Sequence, residues 1–198
     1  MPLSGRPELS TVSRFLPLLV ALPIHAAELE GVRLEDRIRV DGQELQLNGF
    51  ALRTRFIFKV YVAGLYLPAK TTTAQAAIES RSAKRIILVM MRDATADQFV
   101  ESTDTAMRAN NSEAQIAAVK AQVDELFALI RAAGEAKKGM RIVLDYAPSD
   151  GGTTLFIEGV AQGKPMLGEE FYKVLLRIWL GEDPVQQDLK EALLGGVQ

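Results

Sequence analysis

The amino-acid sequence predicts a single domain of the α+β class. Strand-type segments crowd into residues 32–92, helix-type segments follow over 95–134, strands return over 140–163, and helices close the chain. A parallel sheet would need strands and helices to alternate one by one, so segregated runs favour α+β. The chain has 198 residues, 48 % of them hydrophobic and 24 % charged, which is enough apolar material for one sizeable core. No Pro/Ser/Gly-rich linker and no internal repeat divides it.

The first residues read as an export signal. Arg6 and Arg14 precede the ten apolar residues FLPLLVALPI (15–24), and HAAELEG follows. A basic start, an apolar run and small residues before a cut form a secretory signal, here over residues 1–27, with the domain over 28–198. The run is too short to span a bilayer, which takes about 20 residues.

Export restricts the available chemistry. The chain has no cysteine, and its one histidine, His25, lies in the segment expected to be removed. Ser-His-Asp hydrolysis, cysteine catalysis, zinc held by thiolate or imidazole, and histidine-ligated haem are therefore excluded together. There is no calcium loop of the D-x-D-x-D-G type, no P-loop and no G-x-G-x-x-G, so neither a metal nor a cofactor is expected. A net charge of −2 and scattered basic residues exclude nucleic acid as a partner.

Each element follows from its local pattern. VRLEDRIRVDGQELQLNG (32–49) reads as a hairpin, with Asp41-Gly42 as a tight primed turn between alternating apolar positions. NGFALRTRFIFKVYVAGLYLP (48–68) reads as one long strand, and AKRIILVMMR (83–92) as a central one. Thr95 and Gln98 have capping-box spacing and open a helix with Phe99, Thr103, Ala106 and Asn110 on one face. Ser112 and Gln115 repeat that signal for a second helix running to Gly134. In the strands of 140–163, Asp150-Gly151-Gly152 marks a turn, and Gly159 to Gly163 a second before KPML. The first of two C-terminal helices spans about 168–180, and the second is expected to be capped by Asp183 with Pro184 at its first position.

The long strand raises the functional question. Its two faces, Phe56, Phe58, Val60, Val62, Gly64 and Tyr66 against Ile57, Lys59, Tyr61, Ala63, Leu65 and Leu67, are both mostly apolar, so both must be covered. Gly64 fits a bulge or a close approach. By spacing alone, Tyr61 is as well read as a core tyrosine with a backbone partner, and Arg53 as a snorkelling surface arginine.

The long-strand stretch, together with AQGKPMLGEEFYKVLLRIWLGEDPVQQDLK (161–190), resembles the chalcone isomerase superfamily, above all its bacterial members and the plant fatty-acid-binding members. The shared features are the glycine-plus-arginine entry, the K-V-Y-x-x-G-L-Y-L strand and the K-P-x-L…L-G-x-x-P ending. The resemblance implies an open antiparallel β-sheet packed against a layer of helices, with an elongated apolar cleft between them. It also implies a polar set in the plant isomerases: an arginine, a strand threonine, a Tyr and an Asn on the first helix, and a C-terminal hydroxyl residue. Here Arg53 keeps the arginine, while Tyr61, Phe99, Ala106 and Ile178 stand at the other four positions. Chalcone isomerase activity is accordingly not expected, because phenolate addition needs poised polar groups.

The fatty-acid-binding relatives imply another use, in which the arginine and a strand tyrosine hold a carboxylate. An Arg fork with one phenol donor suits that head, and apolar Phe99, Ala106 and Ile178 suit an alkyl tail. The leading reading is a periplasmic, non-catalytic binding protein for a fatty acid or similar amphipathic carboxylate. The rivals are an isomerase or lyase using Arg53 as electrophilic stabiliser, and a module that binds another envelope protein. The leading reading carries a geometric demand. Arg53 and Tyr61 lie about 26 Å apart along one unbroken strand, so the chain must bend or change strand between Arg53 and Phe56.

Overall fold

The computed structural model describes Met1 and residues 26–196, so the expected export signal falls almost wholly outside the described residues. Strands β1 (Ala26–Leu29) and β2 (Val32–Glu35) pair as a small two-stranded sheet. The main sheet has seven antiparallel strands in sequence order: β3 (Arg37–Val40), β4 (Gln43–Arg55), β5 (Phe58–Leu67), β6 (Lys84–Met90), β7 (Arg141–Ala147), β8 (Gly152–Ile157) and β9 (Val160–Leu167). Helix α1 (Ala74–Glu79) joins β5 to β6, while α2 (Ala96–Ala109), α3 (Glu113–Ala118) and α4 (Lys120–Ala133) join β6 to β7. Helices α5 (Glu169–Leu180) and α6 (Gln187–Leu193) close the chain. The result is the expected α+β architecture, an open antiparallel sheet under a layer of helices.

Both faces of β5 are covered, by different layers. Tyr61, Ala63, Leu65 and Leu67 join Ile86, Leu88 and Met90 in the core under α2, α4 and α5. Val62 and Tyr66 pack on the other face with Val32 and Leu34 of the small sheet. Gly64 serves that second core: a Cβ there would meet Leu34 Cδ1 at 2.6 Å. Helix α5 is buried nearly all round, and its one buried charge, Lys173, is held by the carboxylates of Glu79, Glu169 and Glu170.

Both capping boxes form, Thr95 with Gln98 and Ser112 with Gln115. Asp41 and Gly42 make the tight turn, with φ of 52° and 71°. Five expectations are corrected. Residues 32–35 leave the predicted hairpin and pair with β1 instead. The helix expected from Ser112 to Gly134 breaks at Val119, where φ is −116° and ψ 17°. The turn placed at Gly159 to Gly163 is Glu158-Gly159, and KPML lies inside edge strand β9, where Pro165 is tolerated. Asp183 and Pro184 do not open a helix: Asn110 holds that segment as a loop, donating to Asp183 O at 2.6 Å and accepting from Asp183 N at 2.9 Å. α6 starts only after Gln186.

The fifth correction matters most. Residues 48–68 are not one strand but the facing ends of β4 and β5, joined by a two-residue turn at Phe56-Ile57. Hydrophobic periodicity could not reveal the turn, because its residues are as apolar as the strands they join.

Candidate ligand-binding site

The β4–β5 hairpin meets the geometric demand. Arg53 stands directly across from Tyr61, on the same face of the sheet. Neighbouring strands lie about 4.8 Å apart, so a separation of about 26 Å along the chain becomes direct contact. The strand change falls at Phe56-Ile57, at the far end of the expected Arg53–Phe56 window. The Arg53 Cζ lies 5.3 Å from the centroid of the Tyr61 ring, within cation–π range.

Local irregularities aim the pair. The register shifts between Arg53 and Thr54, leaving Val60 as the extra residue on β5, and such bulges re-aim side chains. Gln186 brackets Arg53 from the loop before α6. Its Oε1 accepts from Thr54 N at 2.7 Å, and its Nε2 donates to Leu52 O at 3.3 Å.

The polar atoms at this point are incompletely paired. Arg53 Nε is buried and has no hydrogen-bond partner, and among the described residues no carboxylate pairs with the guanidinium. Trp179 Nε1 donates to the Tyr61 hydroxyl oxygen at 2.9 Å. The tyrosine oxygen is thus an acceptor to the indole and still has its own proton to give. Burial pushes the Tyr61 phenol above its ordinary pKa, opposed by the Arg53 charge and by hydrogen bonding from Trp179 and from the Arg53 guanidinium. At neutral pH it is therefore a protonated donor beside a second buried donor.

Two connected spaces meet at Arg53. The inner one is a cavity of about 40 Å³ under the sheet, walled by Leu88, Leu126, Ile142, Leu144, Ile178 and Trp179, among others. The outer one is an open groove of about 620 Å³ between the β4–β5 hairpin, α2 and the loop at 183–185. Phe99, Ser102 and Val185 border both, as Arg53 does. The five candidate residues are therefore only partly assembled. Tyr61 and Ile178 face the inner cavity, Arg53 and Phe99 face both spaces, and Ala106 lines only the groove.

Trp179 escaped the sequence reading. It is the one tryptophan of the chain and lies four residues after Leu175, on the same helical face, which was the available signal. Ser102 also went unnoticed, since it falls one position short of the apolar stripe of α2. Among the described residues, no cluster of His, Cys, Asp and Glu could hold a metal ion.

The sequence profile described as chalcone isomerase-like matches residues 26–195. The chain belongs to the chalcone isomerase-like family. No curated protein matches it. Among solved structures it is similar to the crystal structure of a fatty-acid binding protein of Arabidopsis thaliana. That likeness has 15 % identity and a TM-score of 0.63, and it covers 86 % of this chain and 96 % of the other. At that identity it shows a shared fold. Within this chalcone isomerase-like fold, the four positions expected to be polar in the plant isomerases hold a tyrosine tied to Trp179 and three apolar residues. The hydroxyl of Thr103, on the inner wall, donates to Phe99 O at 2.8 Å and is already engaged.

Proposed function

We propose that the protein binds a fatty acid or similar amphipathic carboxylate, non-catalytically, at the junction of groove and cavity. The observation that carries this reading is the convergence of two buried donors without acceptors, Arg53 Nε and the Tyr61 hydroxyl proton. A carboxylate has two acceptor oxygens and a negative charge, so it satisfies both donors and the guanidinium at once. The fatty-acid-binding structure that shares this fold supports the choice of ligand class.

The space available decides where the tail goes. A cavity of about 40 Å³ has room for little more than water. The groove of about 620 Å³ takes the chain against Phe58, Val60, Phe99, Ala106 and Val185. Each methylene buried there contributes about 0.8 kcal/mol, so twelve carbons supply roughly 9 kcal/mol before ordering costs.

A non-catalytic role is supported by the inner lining, whose polar groups are donors and hydroxyls with no carboxylate among them. The isomerase or lyase reading needs a base, and Asp93, Glu101 or Asp183 would have to supply it from the outer groove. Residues 1–27 are proposed to direct export, which places the protein in the periplasm; N-terminal sequencing of the native protein checks this, and an intact Met1 overturns it. Calorimetric titration of dodecanoate into wild type and Arg53→Ala tests the binding site. Affinity is expected to fall by about 2–5 kcal/mol in the variant. Equal affinities, or no binding to wild type, overturn the reading.

A further inference from the structure

Among the described residues, four two-residue turns join strands, and one breaks the pattern of the other three. Glu30-Gly31, Asp41-Gly42 and Glu158-Gly159 each place an acidic residue at φ 50–54° and a glycine at φ 71–77°. The fourth, at the tip of the β4–β5 hairpin, is Phe56-Ile57. Phe56 has φ 55°, a left-handed conformation that bulky residues disfavour. The tip is also the most exposed apolar surface among residues 26–196: Phe56 is 91 %, Ile57 88 % and Phe58 53 % exposed. Neither turn geometry nor packing accounts for large hydrophobic side chains there.

The charge around the tip points to its partner. From Arg53 to Tyr61 the chain carries three cations and no carboxylate. Behind the apolar tip stand Arg55, Lys59 and Arg92, the last with its Cζ 4.9 Å from the centroid of the Phe58 ring. Lys59 shares its charge with Glu30 at 2.5 Å. Of the groove's carboxylates, Glu101 lies on α2 and Asp183 in the loop before α6, while Asp93, next to Arg92, is engaged by Lys137 at 3.2 Å and by Lys138 N at 2.7 Å. A short aromatic tip backed by basic side chains matches a bilayer interface, with apolar groups below the headgroups and cations among anionic phosphates.

We propose that the Phe56–Phe58 tip inserts shallowly into an anionic phospholipid surface. Phe56 and Phe58 also line the groove, so insertion brings the groove mouth to the membrane. The inference does not rest on the carboxylate-binding reading, and vesicles free of fatty acid test it separately.

The test is co-sedimentation with phosphatidylglycerol/phosphatidylcholine vesicles, comparing wild type with the Phe56→Gly/Ile57→Ser double variant. Gly-Ser suits a hairpin turn with positive φ at its first position, so the variant keeps the hairpin while removing the apolar tip. Wild type is expected to partition onto anionic vesicles and far less onto pure phosphatidylcholine. The double variant is expected to lose about tenfold or more of that partitioning at an unchanged melting temperature. Arg55→Gln is expected to lose about fivefold, an effect that vanishes at high salt. If the double variant misfolds, Ile57→Asp replaces it with the same expectation. No partitioning of wild type, or equal partitioning of wild type and a folded tip variant, overturns the proposal. So does a dimer in vesicle-free solution that the tip substitutions dissolve, because a second copy would then be what covers the tip.

Discussion

The sheet carries two cross-strand arginine–tyrosine pairs, one on each face. On the side of the small β1–β2 sheet, Arg85 stands opposite Tyr66; on the helix side, Arg53 stands opposite Tyr61. The first pair is complete. Arg85 makes a two-pronged bond to Asp145, Nε to Oδ1 at 2.6 Å and Nη2 to Oδ2 at 2.5 Å, and Tyr66 gives its proton to Glu35 O at 2.9 Å. The second pair has neither feature. A third cation shows that the helix side can supply acceptors to a buried donor. Lys84, wholly buried, donates to the carbonyls of Ile78 and Ser80 at the end of α1 and lies over the rings of Tyr146 and Tyr172. Of the two cross-strand arginines, only Arg53 is left without an anion, in a fold that supplies partners to Arg85 and acceptors to Lys84.

The largest expected effect lies on the complete side. Asp145→Ala removes a buried carboxylate, leaves the half-buried Arg85 guanidinium without its anion, and should lower stability by about 3–5 kcal/mol in chemical denaturation, with dodecanoate affinity unchanged in the folded fraction. Arg53→Ala should do the reverse. Its ligand affinity falls as stated above, while stability without ligand changes by less than about 1 kcal/mol or rises, because the buried Arg53 Nε has no partner to lose. A stability loss as large as that of Asp145→Ala would make Arg53 structural and dissolve the contrast. Tyr61→Phe deletes one hydrogen bond to a charged head and keeps the ring, so calorimetry should show an affinity loss of about 1.5 kcal/mol.

The smallest effect is a pH dependence from Lys84. Burial lowers its pKa to about 8, from an ordinary value of 10.5. Above pH 8 the unfolded chain keeps that proton while the folded one releases it, so stability rises with pH. Between pH 8 and 9 the gain should be about 1 kcal/mol in wild type and absent in Lys84→Met, measured by denaturant titration at each pH. Burial raises the Tyr66 phenol to about 12, so its opposing loss of stability begins near pH 10, outside that window.

Sequence alone determined whatever depends on neighbours a few residues apart. The two capping boxes, the Asp41-Gly42 turn and the α+β order of segments are set by contacts within about four positions, and a pattern of residue types records them. The apolar faces of β5 likewise announced a strand covered on both sides. Only the tertiary structure decided what Arg53 and Tyr61 do to one another. The turn at Phe56-Ile57 carries none of the residues that mark a turn, so a strand change that brings the two together looked like unbroken strand. The bond from Trp179 to Tyr61 joins residues 118 positions apart, and α5 has to dock on the sheet before it can form. Whether a buried donor finds an acceptor depends on register and packing across the whole domain. That is why Arg85 and Arg53, both set in apolar strand sequence, have different fates that no local pattern records.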